Sequence, residues 1–192
     1  MTISHWQIDA SSDVRSVDFL VIGAGLLGCS AAYFAAQAGR DVLIVEKNDL
    51  AMGASGRNAG FIMAGLDTHY HHAVEKYGAE VVNEAWDISH QAIAFWKKIA
   101  AEAHVPLEQV GSMLLAESEA EAADLALASE ALTAAGVHHI YHQSDPTGRG
   151  FFAAIERPDD CSVQPVKLVQ AVFAASGADL LPNCEVYAIE QQ

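Results

Sequence analysis

Basic residues are scarce in this sequence: ten Lys and Arg stand against 25 Asp and Glu, for a formal net charge of −15. Nucleic-acid backbones and anionic lipid surfaces are recognised by clustered cations that neutralise phosphate. The densest pair here, Lys97-Lys98, sits among alanines and acids. Both partner classes are excluded, and the acidity reads as the solvated surface of a soluble protein. Cysteine is also sparse. Cys29, Cys161 and Cys184 are widely spaced, with no CxxC or His-flanked pair. That pattern excludes a thiolate zinc site and a disulfide framework, and a reducing cytoplasmic setting is expected. No apolar run reaches membrane-spanning length, because glycines break the longest one, around Phe19 to Phe34. From Met1 to Val17 the chain is polar, with Asp9 and Asp13, and lacks the basic and apolar regions of a secretory signal.

What remains is 52% hydrophobic over 192 residues, enough for one packed core and the start of a second. Val17 to Ile22 is a β-branched apolar run ending on glycine, as a buried parallel strand does. Leu26 to Gln37 is Ala-rich and helical, closed by Gly39, with Cys29 on its buried face. Asp41 to Val45 is a second buried strand. Together they have the size of a strand–helix–strand crossover.

Met52 to Gly65 reads as a small-residue loop opening into a short helix. Helices are expected over Asp67 to Tyr77 and Glu80 to Ala103, the second burying a face of Val82, Trp86, Ser89, Ile93, Trp96 and Ala100. The pattern then changes. Gly111 to Ala116, His138 to His142 and Phe151 to Glu156 read as strands around a helix, Ser118 to Ala135. A helix from Pro165 to Ser176 and strands at Ala178 to Leu181 and Glu185 to Ile189 restore the first pattern.

Gly23-Ala24-Gly25-Leu26-Leu27-Gly28 carries the chemistry, since it lies between a strand and a helix with an acid about 20 residues on. Gly23 permits the tight turn, Gly25 lets a pyrophosphate reach the backbone, and Gly28 lets helix and sheet pack closely. The helix N-terminus stabilises phosphate charge. Glu46 accepts hydrogen bonds from a ribose hydroxyl and repels a 2′-phosphate. An ADP moiety is implied, which NAD and FAD share. The loop Gly53-Ala54-Ser55-Gly56-Arg57-Asn58-Ala59-Gly60-Phe61 returns towards the diphosphate and ring, its small residues letting main chain approach a flat cofactor.

Residues 17 to 65 resemble the N-terminus of the D-amino-acid oxidase-like superfamily of FAD enzymes, which includes glycine and sarcosine oxidases. Weaker similarity runs through Gly111, Gln164-Pro165 and Glu185-Val186. The resemblance implies an α/β fold: a Rossmann-type FAD-binding domain over 15–103 and 158–192, with part of an inserted α+β substrate domain over 104–157. It implies FAD as cofactor, held by Gly23, Ala24, Gly25, Leu26, Leu27, Gly28, Glu46, Lys47, Ser55, Gly56, Arg57, Asn58 and Gly60, with Val186 in a strand against the adenine. Members that carry FAD covalently have a histidine near Arg57, and this chain does not. The implied reaction is oxidation of a C–N bond in an amine or amino acid, hydride passing to flavin N5 and the imine then hydrolysing. A C–O substrate such as a hydroxy acid, or a noncatalytic FAD-binding subunit, are the alternatives. Family chains are about twice this length, a two-domain size. A fragment, or a subunit whose partner supplies the complementary C-terminal half, is therefore expected.

No catalytic residue stands out. Arg57 suits either reduced-flavin charge or a substrate carboxylate, and pairing with an acid is as good a reading. His69, His71 and His72 lack a recognised ligand spacing and are expected at a helix start or on the surface, so no metal is expected. His138, His139 and His142 alternate along a strand and are expected on a solvated face.

Overall fold

A computed structural model of the protein describes residues 14–191. Most of the polar Met1–Val17 stretch, including Asp9 and Asp13, lies outside the described residues.

Strand β1 (Phe19–Ile22), helix α1 (Leu26–Gln37) and strand β2 (Val42–Val45) open the fold. β1 and β2 pair in parallel, Phe19 opposite Val42 and Ile22 opposite Val45. The run Val42-Leu43-Ile44-Val45 is apolar at every position because β2 is the middle strand: β9 (Asp179–Leu181) pairs in parallel on its other side. All four side chains are buried, each contributing about 1.5–3 kcal/mol. Among the described residues β1 is one edge of this sheet and β9 the other. Phe19, Leu20 and Ile22 of β1 are 44%, 51% and 49% exposed despite their apolar character.

Helix α5 (Pro165–Ser176) packs on α1 and buries Leu168, Val169 and Val172. Pro165 occupies the first turn, where its missing N–H costs nothing, and Gln164 Oε1 accepts the Lys167 N–H at 2.6 Å. The predicted bounds of this helix match.

Two antiparallel sheets complete the fold. β3 (Phe61–Ile62) and β4 (Leu107–Glu108) flank β8 (Cys161–Val163). β5 (Ser112–Ala116) and β6 (Ile140–His142) flank β7 (Ala153–Arg157). Helix α3 (Ala79–Glu102) packs on β4 and helix α4 (Glu119–Ala134) on β5 and β7, with α2 (Tyr70–Tyr77) against both helices. α3 buries Val82, Trp86, Ile93, Ile99 and Ala100, while Ser89 and Trp96 are only half-buried. The Ser118 hydroxyl caps α4 by accepting the Glu121 N–H at 3.2 Å.

Four expectations change. Met52 to Gly65 contains a 3-10 turn at Ala54–Gly56 and then β3, with no further helix. The Asn58 amide donates to the carbonyls of Ala54 and Ser55, and its oxygen accepts the Gly60 N–H at 2.8 Å, which ends the turn. β3, β4 and β8 escaped prediction because two- and three-residue strands carry no periodicity and exist through distant partners. Glu185 to Ile189 is not a strand among the described residues. Its last backbone bonds, Asn183 N–H to the Asn48 carbonyl and Cys184 N–H to that of Glu46, precede it, and it finds no ladder partner. Val186 is therefore half-buried outside any sheet. Finally, His138 and His139 precede β6, and only His138 is exposed. His139 hydrogen-bonds with Ser129 Oγ at 2.9 Å and His142 with Glu156 at 2.9 Å, so this is not a simple solvated face.

Candidate functional site

Leaving β1, the chain turns at Gly23, whose φ of +105° is open to glycine alone at no cost, and its N–H donates to the Val45 carbonyl at 2.8 Å. Ala24 is buried and donates its N–H to Glu46 Oε2 at 2.9 Å. Asn48 N–H donates to Glu46 Oε1, also at 2.9 Å. The carboxylate at the end of β2 is thus fixed from two sides, and each oxygen keeps a lone pair for a further donor. Gly28 sits so close that a Cβ there would overlap the Gly23 carbonyl oxygen. Gly25 is the N-cap residue of α1 and offers no side-chain cap; the first turn holds no acid. Such a terminus presents unpaired N–H groups and the positive end of the helix dipole.

The small-residue loop lies against this turn. Leu26 N–H donates to Ser55 Oγ at 3.0 Å, and a Cβ on Gly25 would lie 3.0 Å from the same oxygen. A Cβ on Gly56 would overlap the Ala51 carbonyl, and one on Gly60 the Val163 carbonyl. Leu27, Lys47, Arg57 and Asn58 are exposed. Arg57 makes no ion pair among the described residues, so its pairing with an acid gains no support. Hydrogen bonds and close approach bring Gly23, Ala24, Gly25, Leu26, Gly28, Glu46 and Ser55 together, and Asn58 joins Ser55 to Gly60, whereas the side chains of Leu27, Lys47 and Arg57 sit exposed without such a contact among the described residues. Val186 stands apart from the sheet expected to carry it.

Beyond β3 the chain enters a cleft of about 540 Å³. Met63 to Tyr70, Trp86, Ser112 to Leu114, Ala128, Leu132, Ile155, Arg157 and Asp160 line it. Arg157 projects from the end of β7: its Nη1 donates to the Ala64 carbonyl at 2.7 Å, and its guanidinium lies 4.7 Å from the Trp86 ring centroid. Nη2 is 3.6 Å from Asp160, which is buried and accepts the Ser112 hydroxyl at 2.6 Å. Burial pushes the Arg157 guanidinium below its ordinary pKa, with Asp160 and then Asp159 acting the other way. At the cleft's rim His69, His71 and His72 gather around Asp124 of α4. Burial opposes the charged form of Asp124, but the His71 hydrogen bond and the charges of His72 and His69 outweigh it and hold the carboxyl below its usual range.

The family model for FAD-dependent oxidoreductases of the DAO type matches residues 18–192. The chain belongs to this family. A probable oxidoreductase, OrdL, of Haemophilus influenzae is 30% identical over 88 residues, 46% of this chain and 20% of that protein. One subunit of the anaerobic glycerol-3-phosphate dehydrogenase of Escherichia coli is 42% identical over 53 residues, 28% of this chain and 10% of its own. Among solved structures, glycine oxidase from Bacillus cereus superposes with a TM-score of 0.68 at 25% identity, covering 92% of this chain and 49% of that one. The chain spans about half the length of this structural relative.

FAD is the cofactor of the family, and the turn fits it. A helix start that lacks a cap from Gly25 and holds no acid suits a diphosphate, and the clamped Glu46 suits a ribose diol. Sequence reasoning missed Arg157, Trp86 and Asp160 as one group, and Asp124 beside the histidines. The only available signal was Arg157 itself, a lone cation closing an apolar strand in an acid-rich chain. Nothing local marks Asp124, which is 52 residues from His72.

Proposed function

We propose that the protein carrying this chain oxidises the C–N bond of an amine or amino acid. Bound FAD supplies the two-electron acceptor for a hydride. The chain's own residues supply the cradle from Gly23 to Gly60 and one wall of a substrate cleft. The charge of that wall carries the reading. Its lining holds Asp67 and Asp160 against one cation, Arg157, whose fork is engaged by Ala64 and Asp160. A phosphate dianion would meet no free cation there, whereas an ammonium group meets the exposed carboxylate of Asp67. The kinship with a glycine oxidase points the same way.

Oxidation of a C–O bond is the second reading, favoured by the match to part of a glycerol-3-phosphate dehydrogenase over 28% of the chain. Adding amines, amino acids, hydroxy acids and glycerol 3-phosphate in turn to the anaerobic flavoprotein separates the two. Bleaching of the flavin band by amino compounds supports the proposal; bleaching by hydroxy acids or glycerol phosphate alone overturns it. A preparation that takes up FAD but responds to nothing, by itself or with its partners, would mark a noncatalytic subunit.

We further infer that residues 15–103 and 158–192 act as the cofactor domain and 104–157 as part of the substrate domain. The open edge of β1 is the feature further polypeptide would cover, whether continuous with this chain or a separate subunit: its apolar side chains are half exposed at a position where parallel strands are normally covered. Among the described residues no helix is long and apolar enough to cross a membrane. Three free cysteines, two of them buried, suit a reducing compartment such as the cytoplasm.

A further inference from the structure

His69, His71 and His72 come from the start of α2, and Asp124 from the second turn of α4, a helix that packs against α2. His69 Nδ1, His71 Nε2 and His72 Nε2 each lie 2.9 Å from a carboxylate oxygen of Asp124. The four ligand atoms all fall within 4.8 Å of one another. Bonds of about 2.0–2.1 Å to a tetrahedral ion separate ligand atoms by roughly 3.3 Å, inside that spread.

Hydrogen bonding alone leaves this cluster underserved. His69 is the N-cap residue of α2, yet its side chain does not cap the helix. Its Nδ1 is buried and, although 2.9 Å from Asp124, is not aligned to donate and has no hydrogen-bond partner among the described residues. A ring nitrogen that meets an anionic oxygen at that distance without a shared hydrogen is repelled unless a cation lies between them. His71 Nδ1 is likewise buried without a partner among the described residues. The rings are crowded: the His71 and His72 centroids are 3.9 Å apart, and His69 lies 6.0 and 5.9 Å from them. Three protonated imidazoles would repel one another at this spacing, while three neutral ones present lone pairs to a common point. His72 is half exposed and leaves an entry path.

We propose that His69, His71, His72 and Asp124 form a binding site for a divalent transition metal of the zinc class, which ties α2 to α4 at the rim of the cleft. Three imidazoles with one carboxylate select zinc and its neighbours over magnesium and calcium, which prefer all-oxygen sets. Four protein ligands make a closed, structural site. It is separate from the FAD cradle and does not depend on which substrate is oxidised.

The test uses the intact protein, prepared without a histidine tag, stripped with a chelator and titrated with zinc chloride by calorimetry. One tight equivalent is expected. His71→Gln and Asp124→Asn should each weaken binding by more than roughly 100-fold, beyond what loss of a supporting partner costs, whereas His138→Gln should leave it unchanged. An unaltered flavin spectrum certifies that each variant is folded, and Asp124→Asn, nearly isosteric, serves if His71→Gln is not. Cobalt(II) should give visible bands of four-coordinate geometry that both variants lose. The proposal is overturned if wild type binds zinc no more tightly than the His69→Gln/His71→Gln/His72→Gln variant, or if magnesium displaces zinc at comparable concentration.

Discussion

The cofactor turn and the cleft beside it are built on different scales. Gly23 to Gly60 is one stretch of chain, folded back so that Glu46 holds Ala24 and Ser55 holds Leu26. The cleft draws Ala64 and His69 from before α2, Trp86 from α3, Ser112 from β5, Arg157 from the end of β7 and Asp160 from just beyond it. In the first region missing Cβ atoms let main chain close up and two side chains pin it; in the second, a side chain reaches across 93 residues, as Arg157 donates to the Ala64 carbonyl. The turn should therefore fail through backbone overlap, and the cleft through unpaired buried charge.

The largest effect expected is at the turn. Gly28→Val places side-chain carbon on the Gly23 carbonyl and should cost at or above the roughly 3 kcal/mol upper end of ordinary overpacking. FAD retention, read from the absorbance of the purified protein, should be lost. Gly53→Ala, in the same loop at φ −83° with no atom near its Cβ, should stay within about 0.5 kcal/mol of wild type and keep its flavin. Equal behaviour of the two variants would break the distinction.

Arg157→Leu probes the cleft. It strands the buried Asp160 with only the Ser112 hydroxyl as side-chain partner, at a cost of about 2–3 kcal/mol, or a Tm lower by roughly 5–10 °C. Flavin affinity should be retained while turnover falls. Loss of FAD along with stability would show that the two regions are not energetically separate.

This contrast also explains what the sequence made legible. The parallel βαβ unit, α5 and the α3 face were readable because their signals are local: an apolar run, a Gly or Pro at an end, a 3.6-residue period. β3, β4 and β8 were not, since strands this short form only when a partner from another part of the chain arrives. Glu185 to Ile189 fails for the converse reason: the alternation is present, but among the described residues no partner strand is. The strand–turn–helix geometry of Gly23 to Gly28 was legible because glycines at fixed spacing let backbone segments close together. The His–Asp cluster was not, because Asp124 joins it through helix packing alone.

The smallest effect concerns Cys29, on the face of α1 that seals the turn from behind. Burial pushes its thiol up to about 11 from an ordinary 9.0. The fold therefore favours the neutral thiol: this contribution is fully present below pH 9 and is lost as pH rises towards 11. At pH 8 a thiol reagent should modify the partly exposed Cys184 and spare Cys29 until the chain unfolds. Rapid labelling of Cys29 in the folded protein would mean the turn is not backed by a closed core.

The central claim is that the ADP half of FAD is what this turn and Glu46 recognise. Competition on the apoprotein of the intact protein tests it most directly. FAD should bind, ADP should displace it, and FMN, which shares the flavin but lacks ADP, should neither bind tightly nor compete. If FMN binds as well as FAD, or excess ADP leaves FAD in place, the turn from Gly23 to Gly28 is not the recognition element.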